Sequence, residues 1–92
     1  MISEELEYKI KMRQKANMEI LRVLKEYLEN YPDMRFGQAL MNLDILHYKN
    51  SKYENSDSYN VQDPFNYESV DMLAYIQKRH GHQIKINDIR EL

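Results

Sequence analysis

The sequence predicts an all-α fold, a small three-helix domain with a long N-terminal helix. Three observations carry that expectation. Residues 3–30 contain no glycine or proline and are rich in Glu, Lys, Leu, Met and Arg, side chains that lose little freedom in a helix. Apolar residues recur every three or four positions in the longer segments, the helical period and not the alternation of a strand. With 42% hydrophobic and 30% charged residues, the composition is that of an ordered globule and not of a disordered tail. A chain of 92 residues allows one domain with a modest core, expected to span 1–92.

The first helix is expected from Ser3, a good N-cap, to Asn30. On a helical wheel Leu6, Ile10, Ala16, Ile20, Leu21, Leu24, Tyr27, Leu28 and Tyr31 share one broad face, with Lys11, Lys15, Arg22 and Lys25 opposite. Arg13 and Asn17 interrupt the apolar face. Polar residues there either set register in a helix pair or mark where the helix leaves its core for water. The helix would reach roughly 40 Å at about 1.5 Å per residue, whereas a compact chain of this size is about 30 Å across. Its N-terminal half should protrude or pair with a second copy, so a homodimer through this helix is expected.

Pro32 suits a helix start and Asp33 a cap, which predicts a second helix from Met34 to Tyr48. Its apolar side is Phe36, Ala39, Leu40, Leu43 and Leu46, with Gly37 placed to admit a neighbouring backbone. Residues 49–62 lack helical periodicity and are crowded with Asn, Ser and Asp, so they read as a polar loop. That length suits a mobile insertion, the expectation here, or a binding loop carrying Tyr53 and Tyr59.

Asp63-Pro64-Phe65 reads as a turn. Asn66 is the expected cap of a third helix from Tyr67 to His80, stopped by Gly81, with Val70, Leu73, Ala74 and either Ile76 or Gln77 inward. In the tail Ile84 and Ile86 alternate, and Asn87 is placed to cap a last turn from Ile89 to Leu92; strand and helix both remain open there.

Several functions are disfavoured. There is no cysteine, hence no disulfide framework, zinc ribbon or thiol nucleophile. No apolar run nears the roughly 20 residues that span a bilayer, and the start is acidic, at Glu4, Glu5 and Glu7; a cytoplasmic location is expected. His47, His80 and His82 have no paired-ligand spacing, so no metal is expected. Neither a nucleophile with a nearby base nor a glycine-rich phosphate loop is present, so neither catalysis nor a cofactor is expected.

Two polar constellations stand out. Arg35, Gln38 and Asn42 form a line along the second helix, most easily completed by Asp63 or Glu68. A buried pair of Arg35 with either acid would be structural, tying helix to turn. An open cluster would be a recognition patch, because guanidinium and amide groups offer forked donors. Separately, Lys11, Lys15, Arg22 and Lys25 could track a phosphate backbone, extended by Lys78, Arg79, His80, His82 and Lys85. Against this stand the net charge of -2 and the absence of aromatic residues interleaved with basic ones.

The order Tyr31-Pro32-Asp33-x-Arg35-Phe36-Gly37-Gln38, then Asn42, a polar loop and Asp63-Pro64-Phe65-x-x-Glu68-Ser69 resembles a group of small bacteriophage and bacterial proteins that carry no assigned activity. The resemblance covers the chain between residues 20 and 80. It implies an origin and no mechanism, and it stresses Arg35, Gly37, Gln38, Asn42, Asp63 and Glu68. A phage origin makes a host factor, defence components included, the expected target. The resulting expectation is a non-enzymatic module that binds another protein inside the bacterial host cell. The alternative is a nucleic-acid accessory protein using the basic face of the first helix.

Overall fold

The computed structural model describes residues 3–46 and 68–92. Among them are three α-helices, α1 (Glu4–Asn30), α2 (Phe36–Asn42) and α3 (Ser69–His80), a 3-10 turn (Ile89–Glu91) and no strand. The fold is all-α with a long N-terminal helix. The expected loop 49–62, the Asp63-Pro64-Phe65 turn, the Asn66 cap, His47, Tyr53 and Tyr59 lie outside the described residues.

Helix α1 starts where its chemistry dictates. The Ser3 hydroxyl accepts from the Leu6 N–H (3.2 Å), and Glu4, Glu5 and Glu7 occupy the first turn, where the positive end of the helix dipole favours acids. The helix ends at Tyr31, which leaves the helical conformation (φ -127°, ψ 74°) while its N–H still reaches the Tyr27 carbonyl, as suits a residue before proline, where the helical region is disfavoured. The Tyr27 and Tyr31 rings, one turn apart, lie 4.9 Å centre to centre.

Helix α1 is the spine against which α2, α3 and the 3-10 turn each pack. The core is small: Ala16, Val23 and Leu24 of α1, Ala39 and Leu43, Leu73 and Ile76 of α3, and Ile86 and Ile89 of the tail. A single spine of 27 residues cannot be covered by helices of 7 and 12. Residues 4–9 are therefore exposed, and Leu6, Leu21 and Tyr31, expected on the core face, remain largely in solvent. Asn17 is exposed too, which favours the second of its two readings: it stands where the helix meets water.

Helix α2 is shorter than expected at both ends: it starts at Phe36 with Arg35 at the N-cap and not at Met34 after an Asp33 cap, and at its other end Asp44 takes a left-handed conformation (φ 61°). The Ile45 N–H donates to the Leu40 carbonyl (3.0 Å) and the Asp44 N–H to that of Met41 (3.1 Å). That pair of bonds is a Schellman stop. Glycine is the usual residue at its left-handed position, and aspartate is one of the few others that tolerate it. Asp44→Ala is therefore expected to cost about 1–3 kcal/mol, from backbone strain and lost partners together. Asp44→Gly should be the milder change, by about 1 kcal/mol. Urea denaturation of the two variants checks this, and equal losses would mean that the backbone conformation contributes nothing.

Two further residues of α2 depart from expectation. Phe36, placed on the apolar side, is exposed. Among the described residues no neighbouring segment comes within 4 Å of a Cβ built on Gly37, so that glycine does not admit a backbone from any of them.

Helix α3 is capped by Glu68, whose carboxylate accepts from the Ser69 N–H (3.0 Å). At the other end a Cβ on Gly81 would overlap the carbonyl oxygen of Gln77, so a close approach and not a positive φ requires glycine there. Of the two inward alternatives Ile76 is buried and Gln77 exposed, and Ala74, also expected inward, is exposed. The tail is irregular chain ending in the 3-10 turn. Its cap is Asp88, which accepts from the Arg90 N–H (2.9 Å), one residue after the expected Asn87. Asn87 faces Glu19 instead, its N–H donating to one carboxylate oxygen (2.5 Å) and its Nδ2 to the other (3.5 Å).

Candidate functional site

The expected polar cluster is not assembled as one unit. Arg35 stands at the N-cap of α2. It is exposed, as is Gln38, and no ion pair joins Arg35 to another described residue. Asn42 turns back toward the spine, its Nδ2 donating to the Tyr27 hydroxyl (3.2 Å) and approaching the Met34 sulfur (3.6 Å). Glu68 instead meets Arg13: Nε and Nη2 donate to Oε1 and Oε2, each at 3.0 Å. This fork explains the polar interruption of α1, since Arg13 ties the spine to the start of α3. The Arg13 hydrogen bonds, opposed by desolvation and aided by the Ser69 N–H, hold the Glu68 carboxyl below its usual value. Asp63 lies outside the described residues.

Most of the basic face of α1 holds its own chain. Lys15, Glu19 and Arg22 are one helical turn apart in succession and grip the tail. Lys15 Nζ donates to the Leu92 carbonyl (2.6 Å) and Arg22 Nη2 to that of Lys85 (2.6 Å), while Glu19 receives the Asn87 N–H. Glu19 is buried, and Arg22 forks onto both its oxygens at 2.8 Å while also reaching Glu26 (2.9 Å). Lys25 lies 4.0 Å from Glu29, and Lys11 is exposed. Of the extension expected beyond α1, Arg79 Nε and His80 Nε2 both meet Asp44 Oδ2 at 2.9 Å, fastening the end of α2 to α3. A buried carboxylate anchoring the tail was not foreseen, although Glu19 is the lone acid among the bases of residues 9–25 and that isolation was a signal.

A groove of about 690 Å³ lies between the N-terminal half of α1, α3 and the tail. Met12, Val70, Leu73, Ala74 and Ile89 form its apolar floor, and Lys9, Glu68, Asp88 and Arg90 stand among its lining residues. Two of its acids are held by forks, Glu68 by Arg13 and Asp88 by Arg90 (2.9 and 3.1 Å). Arg90 holds the Asp88 carboxyl below its usual value, through side-chain and then backbone hydrogen bonds. The groove could not be read from the sequence, since its walls come from segments far apart in the chain and its floor residues look like ordinary core positions.

Among the described residues no three His, Asp or Glu side chains gather to hold a metal ion, and no helix is long and apolar enough to cross a membrane. Comparison with known proteins finds no matching family model, curated protein or solved structure.

Proposed function

We propose that the chain is a non-enzymatic module that binds another protein, taking an amphipathic helical segment of that partner in the groove between α1, α3 and the tail. The single observation that carries this reading is the groove itself. Its lining is largely apolar, with Met12, Val70, Leu73, Ala74 and Ile89, and the Glu68, Asp88 and Arg90 side chains within it are engaged in ion pairs. An amphipathic helix presents anchors at successive turns that suit such a trough. Two of its walls are the helices α1 and α3, tied together by the Arg13–Glu68 pair, so little ordering of those walls is needed on binding.

Ala74→Arg tests this reading. Position 74 is exposed, so the variant should fold like wild type by circular dichroism while filling the groove. Protein captured from bacterial lysate by the tagged wild type should be lost with Ala74→Arg, and hydrogen exchange on the complex should show protection at residues 70–77 and 87–90. A partner held equally by both, or protection confined elsewhere, overturns the groove as the binding surface.

The phage origin and a host target belong to the same proposal and rest on the motif resemblance. Self-association through α1 is also proposed, from the length of that helix, and is favoured by Leu21 of α1 and Phe36 of α2, which are 55% and 60% exposed on one shallow apolar face with Leu24 and Leu28. Light scattering at tens of micromolar is expected to give the dimer mass, and a monomer mass rejects it. The nucleic-acid reading is weaker, because Lys15 and Arg22 are engaged by the tail and Lys25 lies beside Glu29.

A further inference from the structure

We draw no further inference here: the strongest candidate, the shallow apolar face of Leu21, Leu28 and Phe36 between α1 and α2, already belongs to the self-association reading, and nothing in the structure shows what else covers it.

Discussion

Ile76→Ala is expected to cost about 2–5 kcal/mol, the range for emptying a fully buried aliphatic site. Ile76 is wholly inaccessible and stands on α3, in a core that it shares with Val23 of α1 and Leu43 as the largest fully buried side chains. A domain of this size has only about 5–15 kcal/mol in total, so the variant should be partly unfolded at moderate temperature. Urea denaturation followed by circular dichroism measures the loss, with Ile76→Val as the conservative control at about 0.5–1.5 kcal/mol. A loss below about 1 kcal/mol for the alanine variant would mean that α3 does not pack on α1 as described.

Glu19→Ala is expected to cost about 3 kcal/mol, between the roughly 1–3 for an orphaned buried donor and the roughly 3–5 for a broken buried pair. The lower part of the second range applies because the Glu19 side chain is 3% exposed but that of Arg22 is 38%, so the arginine recovers water when its partner is removed. The loss should be local at first. With the Asn87 N–H released, residues 84–92 should show faster hydrogen exchange than α1 and α3. Equal acceleration throughout would show that Glu19 supports the whole fold and not the tail.

The same carboxylate sets an acid dependence. Hydrogen bonds from Arg22 hold the Glu19 carboxyl below its ordinary value against the opposing effect of burial, and the Asn87 N–H adds to the lowering. The native value therefore lies below the unfolded one of about 4.3. Its contribution to stability is complete above that pH and is lost as pH falls through the native value. Glu68 and Asp88 are shifted in the same direction by Arg13 and Arg90, so Glu19→Gln should flatten the acid limb of stability without abolishing it. Urea midpoints near neutrality and near pH 3 decide the point. An identical acid loss in wild type and Glu19→Gln would show that the buried carboxylate does not govern it.

Two helix boundaries were legible from short-range devices: Ser3 caps α1, and Gly81 stops α3. The end of α2 was not legible, because Asp44 does there what glycine usually does, and its acceptance of a left-handed backbone leaves no distinctive mark in sequence. The polar interruption at Arg13 and the acid at Glu68 were each visible, but 55 residues separate them and several acids competed for the arginines. Arg35 stood closer along the chain to Asp63 and Glu68, and packing nevertheless gave Glu68 to Arg13.

Periodicity, caps and breakers thus specified an all-α chain with a long first helix, since those preferences belong to local backbone and side-chain chemistry. Which charges meet, which apolar residues of α1 stay in water, and that α1, α3 and the tail enclose a groove were set by tertiary packing. Helix α1 offers more surface than α2, α3 and the tail can cover, and where the tail lies along it depends on bonds that Lys15, Glu19 and Arg22 make to backbone more than 60 residues away.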